Sequence, residues 1–308
     1  MERAEERGSG FEEAKGTVEE LVSNLPSFSK EETDTFGKLA DMVSKFSTLS
    51  SPPLPPSLGP AAALGRDWLV ALLARLSQNG FTVADSECQP LGLALFPLAS
   101  TVNHSCLPTV ASSFARKQGE PPALRMRAVR SAEKGEEVTN AYIDVGMPTA
   151  GRRRELKKSY CFECDCERCG DTARDAWVEE PERREITAGT TAELGEASSA
   201  ELWNVWKESP GRSHRRLASG NELAARLIDS RDFGRAATVL KGTLEATEYC
   251  LFENSPVLAV GLYKLVKLLE YEERDLDLAA DLRRKAGDAL KVCYGEEDDL
   301  YREVAERW

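Results

Sequence analysis

Residues 160–169 read Tyr160-Cys161-Phe162-Glu163-Cys164-Asp165-Cys166-Glu167-Arg168-Cys169, four thiols inside ten positions. The chain of 308 residues holds eight cysteines, so half of them fall in this one stretch. Residues 1–20 carry seven glutamates and no apolar block, so no secretory leader is visible and a reducing compartment is expected. Thiols crowded together in such a compartment point to bound Zn²⁺ rather than to disulfides. Cys161, Cys164, Cys166 and Cys169 could hold one ion by themselves, although four ligands within nine residues crowd a tetrahedron.

Upstream of this knot the pattern is that of short strands. Phe81-Thr82-Val83 follows a glycine turn. Residues 109–116 set Val110, Ser112 and Phe114 on one face, and residues 124–129 alternate Leu124, Met126 and Ala128 with Arg125, Arg127 and Val129. Gln118 to Pro122 suits the connection of a hairpin between the two. Residues 11–46 instead show helical spacing, with Val18, Leu21, Val22 and Leu25, then Phe36, Leu39, Val43 and Phe46. Ser29 and Glu32 form a capping box that predicts where the second of these helices starts. Residues 48–60 hold five prolines in thirteen positions, which excludes helix and central strand and predicts a linker. A third helix is expected over 61–77, with Leu64, Trp68, Leu72 and Leu76 on adjoining turns.

Downstream, residues 171–199 are polar and from Ala200 the chain reads as helix. Arg231-Asp232-Phe233 with Ala236-Ala237 and Cys250 recurs as Arg274-Asp275-Leu276 with Ala279-Ala280 and Cys293, always 43 residues later. A period of this length, with small residues where helices cross, indicates stacked tetratricopeptide-like hairpins. Cys250 and Cys293 then belong to the helical core, and His214, between Arg212 and Arg216, is expected to be solvated. The segments expected are thus 1–10 disordered, 11–78 helical with the linker at 48–60, 79–160 mainly strand, 161–170 the metal cluster, 171–199 a linker and 200–308 helical.

Composition narrows the function classes. With 41% hydrophobic and 30% charged residues the chain is a globular protein. A net charge of −12 argues against direct nucleic-acid binding through phosphate neutralisation. The longest apolar windows, 68–76 and 90–102, are too short to span a bilayer, so no membrane partner is expected. Cytoplasm and nucleus both remain open, the one short basic run being Arg152-Arg153-Arg154.

Three segments carry the chemistry: Asn103-His104-Ser105-Cys106, the run Gly135 to Asp144 with Tyr142 near its end, and the Cys-rich decapeptide. Their order and spacing resemble the C-terminal half of a SET domain followed by a post-SET zinc cluster. With Asn79-Gly80-Phe81-Thr82, Gly92 to Pro97, Arg127 to Arg130 and the helical tail, the chain resembles the SET- and MYND-domain (SMYD) family of protein-lysine methyltransferases. The fold class expected is α+β: an incomplete SET β-fold with its pseudoknot and post-SET cluster, followed by a tetratricopeptide-like helical domain.

The resemblance implies S-adenosylmethionine as cofactor, held by Asn79, Asn103, His104, Tyr142 and Phe162. It implies Tyr142 as the catalytic residue and Phe81, Tyr142 and Tyr160 as the lysine channel. It implies Cys106, Cys164, Cys166 and Cys169 as ligands of one structural Zn²⁺, with Cys161 left as a packing thiol. The partner expected is a protein or peptide with a target lysine, histone or otherwise, and the helical domain could bind peptide as well. A closed four-cysteine site leaves no position for water, which excludes a zinc hydrolase. The family's Cys/His-rich MYND module and the Gly-x-Gly strand of the SET domain have no counterpart in these residues, since Gly8-Ser9-Gly10 runs into a helical pattern. That gap motivates a second reading, a non-catalytic interaction scaffold or a shortened enzyme with an incomplete cofactor pocket.

Overall fold

The computed structural model describes residues 17–49, 65–115, 123–171 and 191–305. The expected disordered residues 1–10, most of the proline-rich linker and the 118–122 connection lie outside these. Two compact units emerge, one of residues 1–83, 91–102 and 157–162, the other of 84–90, 103–156 and 163–308.

The first unit is built on helices α1 (Lys30–Leu49) and α2 (Arg66–Asn79). The capping box starts α1 where the sequence predicts: Ser29 N–H donates to Glu32 Oε2 at 2.8 Å and Glu32 N–H donates to Ser29 Oγ at 3.2 Å. Ala40 is fully buried against Leu69 and Val70 of α2, with Leu25, Phe36, Trp68 and Leu73 around them. Of the helical apolar set, Phe36 faces this core while Leu39, Val43 and Phe46 face outward, Phe46 being 71% exposed. Helix α2 runs directly into strand β1 (Gly80–Ala84), which pairs with β2 (Pro90–Leu95). A Cβ at Gly80 would lie 2.4 Å from Leu76 O and from Leu93 Cδ2, so only glycine fits this helix-to-strand junction. Phe81 meets Phe96 edge to face, ring centroids 5.9 Å apart.

In the second unit, β4 (Val110–Ala115) and β5 (Ala123–Ala128) form the antiparallel hairpin that the alternation predicts, in register from Val110 opposite Ala128 to Ala115 opposite Ala123. Two much shorter strands matter more. β3 (Asn103–His104) runs parallel to β6 (Thr139–Asn140), with Asn103 beside Thr139 and His104 beside Asn140. A two-residue ladder holds because side chains extend it. Thr109 N–H donates to Thr139 O at 3.0 Å and Thr139 N–H donates to Thr109 Oγ1 at 2.8 Å, both threonines being buried. Beyond β6 come α3 (Thr149–Tyr160) and the one-turn α4 (Glu167–Gly170).

The remainder is helical: α5 (Thr191–Glu196), inside the stretch expected as linker, α6 (Ser199–Glu208), α7 (His214–Asp229), α8 (Phe233–Cys250), α9 (Pro256–Tyr271), α10 (Leu276–Cys293) and α11 (Asp299–Ala305). From α6 onward, consecutive helices pack on one another. The 43-residue repeat falls on α8 and α10, both 18 residues long, with Ala236, Ala279, Cys250 and Cys293 all buried. The copies differ at their first turn. Asp232 caps α8 by accepting from Arg235 N–H at 3.2 Å, whereas Asp275 sits in the left-handed region (φ 48°) and accepts from Lys241 Nζ at 2.7 Å instead. Helix α9 is buried on most of its circumference and forms the centre of this core, facing α10. Leu290 of α10 is wholly buried, so Leu290→Ala is expected to cost about 2–5 kcal/mol in urea unfolding, with an unchanged m-value. No helix among the described residues is long and apolar enough to cross a membrane.

His214 departs from its expected solvated state. Its side chain is only 15% exposed and its Nε2 lies 3.1 Å from Asp144 Oδ2, two residues past Tyr142. The hydrogen bond and charge of His214, with a hydrogen bond from Gly146 N–H, outweigh the partial desolvation of Asp144, whose side chain stays about half exposed, and hold its carboxyl below the ordinary range.

Candidate functional site

Four sulfurs converge in the second unit. Cys106 follows β3, Cys164 and Cys166 lie on the extended segment after α3, and Cys169 sits on α4. Their Sγ atoms all lie within 4.8 Å of one another, with Cys106 and Cys169 at 3.6 Å. Zn–S bonds of about 2.3 Å in a tetrahedron put sulfurs about 3.8 Å apart, so the cluster has the dimensions of a closed four-thiolate zinc site. Cys106, Cys164 and Cys169 are buried and Cys166 half-buried. Cys161 is exposed, takes φ 63° and stands outside the group. The mid-chain thiol therefore joins the last three, and the contiguous set of four that the sequence left open is not the one assembled.

Protonation follows from the crowding. Hydrogen bonds with Cys166 and Cys169 push the Cys106 thiol up, and those from Cys106 and Cys169 push Cys166 down, so Cys166 ionises ahead of Cys106. Burial raises Cys164 to about 11. Four thiolates cannot share this space without a cation, which is the chemistry of a metal-ligating donor set.

The cluster is tied to Tyr142 through one histidine. Tyr142 N–H donates to His104 Nδ1 at 3.0 Å, and His104 Nε2 lies 3.3 Å from Cys106 Sγ. An accepting Nδ1 places the proton of the neutral ring on Nε2, directed at the sulfur. Burial pushes His104 down to about 4, so the ring is neutral near pH 7. The His104 and Tyr142 rings lie 5.2 Å apart between centroids. The β3–β6 pairing makes this possible, since Tyr142 is two residues beyond Asn140 and Ser105 N–H donates to Asn140 O at 3.0 Å. Asn103 beside them is exposed, its Nδ2 donating to Glu137 Oε1 at 2.6 Å. Gly135 supplies the turn before this segment with φ 95°, a conformation that suits glycine.

The other expected residues lie in the first unit: Asn79, Phe81, Tyr160 and Phe162. Asn79 is buried and donates both Nδ2 hydrogens to backbone carbonyls, Val22 O and Arg75 O, each at 2.8 Å. Its amide closes the end of α2 as well as marking the motif. Phe81, Tyr160 and Phe162 are each half-buried.

Arg152 is the residue that sequence reasoning missed. Taken there as part of a basic run, it is fully buried, and its Nη2 reaches Thr149 Oγ1 at 2.9 Å and Cys169 Sγ at 3.6 Å. Arg153 next to it donates to Cys164 O at 3.2 Å and Cys169 O at 3.3 Å. The available signal was the i,i+4 pairing of Arg152 with Leu156, which puts both on the inner face of α3.

Comparison with known proteins agrees with this geometry. The SET-domain family model matches residues 13–143, taking in the helical segment as well as the strands. Histone-lysine N-methyltransferase SMYD3 of Mus musculus is 34% identical over 160 residues, covering 51% of this chain and 34% of that protein. The Homo sapiens SMYD3 of the same description is 42% identical over 108 residues, covering 35% of this chain and 24% of that protein. N-lysine methyltransferase SMYD2 of Gallus gallus is 42% identical over 107 residues, covering 35% and 23%. The matches thus span about a quarter to a third of these relatives' own length. With identities at this level and the order of motifs along the chain, the protein carries a region that matches the SET domain and is similar to the SMYD methyltransferases over that part of its length.

Proposed function

We propose that the chain is a protein-lysine methyltransferase using S-adenosylmethionine, with one structural Zn²⁺ held by Cys106, Cys164, Cys166 and Cys169. The observation that carries the reading is the His104–Tyr142 contact, which joins the Asn-His motif to the tyrosine across the parallel β3–β6 pair. We read that pairing as the SET pseudoknot, and α6–α11 as the tetratricopeptide-like domain in which a peptide could be gripped.

S-adenosylmethionine, when bound, supplies the transferable methyl group. Both ring nitrogens of His104 are engaged within the chain, so this residue would meet the cofactor through its backbone, and the exposed Asn103 through its side chain. Asn79, with its amide hydrogens committed, would offer its amide oxygen. Phe162 would lie against the adenine, an apolar and stacking contact. A lysine amine must lose its proton, of pKa ~10.4 in water, before it can attack. Phe81, Tyr142 and Tyr160 would line a narrow aromatic channel that favours the neutral amine by desolvation, and the Tyr142 hydroxyl would align its lone pair.

Titration calorimetry of the zinc-loaded protein with S-adenosylmethionine tests the reading. Saturable binding, followed by transfer of labelled methyl to core histones, is the expected outcome. Absence of binding at millimolar cofactor would leave the non-catalytic scaffold instead.

A further inference from the structure

We propose that Arg152 is the internal counter-ion of the four-thiol centre and the brace that ties it to the segment following Tyr142. This rests on the zinc reading above and adds a residue to it. The charge count motivates the idea. Four thiolates around one divalent cation leave an excess of two negative charges in a buried site, and an unscreened charge there is costly.

Arg152 has the largest fully buried side chain among the described residues. A buried guanidinium demands an anionic partner, and a sulfur of the cluster stands within its reach. Its Nη1 donates to Met147 O at 2.5 Å, its Nη2 donates to Thr149 Oγ1 at 2.9 Å, and the same Nη2 points at Cys169 Sγ at 3.6 Å. The two oxygen contacts anchor the planar fork to the Met147 carbonyl, between Tyr142 and α3, and to the Thr149 hydroxyl at the start of α3, which holds the charge beside sulfur. A lysine in this position would keep the charge and lose the fork. A methionine would keep the volume and lose both.

The test uses the full chain under reducing conditions, with Zn²⁺ competed against a chromophoric chelator and Co²⁺ substituted as a spectroscopic probe. Arg152→Met is expected to weaken Zn²⁺ about 10–100-fold, the usual effect of losing an outer-sphere partner. It should also move the thiolate-to-cobalt charge-transfer band to lower energy, because a sulfur deprived of its cationic donor gives up an electron more easily. Arg152→Lys should restore the band position and most of the affinity. Arg152→Met with affinity within twofold of wild type and an unmoved band would overturn the proposal. Should Arg152→Met fail to fold, Arg152→Lys decides: a wild-type band supports the counter-ion role, and a band shifted to lower energy refutes it. Wild-type protein that takes up neither Zn²⁺ nor Co²⁺ would remove the centre itself, a failure distinguishable from that of Arg152 alone.

Discussion

Cys106→Ser is expected to release the metal and loosen the second unit, while Cys161→Ser leaves metal content and stability unchanged. The contrast is large because of geometry. Cys106 is fully buried, with its sulfur 3.6 Å from that of Cys169 across 63 positions of sequence, so one metal ion there closes a long loop. Cys161 is exposed and outside the cluster. Structural zinc binding is worth roughly 10–16 kcal/mol in small domains, so loss of one ligand in four removes about 3 kcal/mol or more, at least a hundredfold in affinity. A serine hydroxyl does not replace it, being neither ionised nor soft at neutral pH. Because metal binds the folded form alone, the same loss lowers the melting temperature, by roughly 10 °C in a unit of this size. Zinc stoichiometry by mass spectrometry and a melting curve on each variant measure both effects. Zinc lost from Cys161→Ser but retained by Cys106→Ser would mean that the contiguous cysteines form the site after all.

What the sequence disclosed follows from how local each signal is. Ser29 with Glu32, the alternation over 109–129 and the 43-residue repeat are read within a few residues, and each reappears as a cap, a hairpin or a pair of equal helices. The choice of Cys106 over Cys161 came from family resemblance, since composition says nothing about which distant thiol closes a cluster. Strands β3 and β6 have two residues each and carry no periodicity. Their pairing is held by Thr109 and Thr139, whose reciprocal bonds are visible only in three dimensions. Helix α3 escaped notice because half of its residues are charged and Leu156 is its one large aliphatic side chain, with Arg152 and Leu156 its buried residues. The same charge disguised Arg152 as a surface residue, and an arginine neighbourhood disguised His214. A charged side chain's role is set by what faces it, which lies elsewhere in the chain.

Tyr142→Phe separates catalysis from architecture more cleanly than any change at the metal. The contact that Tyr142 makes to His104 uses its backbone N–H, and the ring packing against the imidazole needs no hydroxyl. Phenylalanine keeps both, so zinc content, melting temperature and S-adenosylmethionine affinity should stay at wild-type values. What disappears is the phenol oxygen that would orient the amine, an effect of positioning expected to cost about 100-fold or more in methyl transfer. The loss should fall on kcat, since substrate held without alignment still binds. His104→Ala is the informative companion. It removes the acceptor of the Tyr142 N–H and the group facing Cys106 Sγ together, so metal affinity and turnover should fall in parallel. A Tyr142→Phe protein that transfers labelled methyl from S-adenosylmethionine within threefold of wild type would show that the phenol is packing. The lysine would then have to be aligned by another residue of the channel.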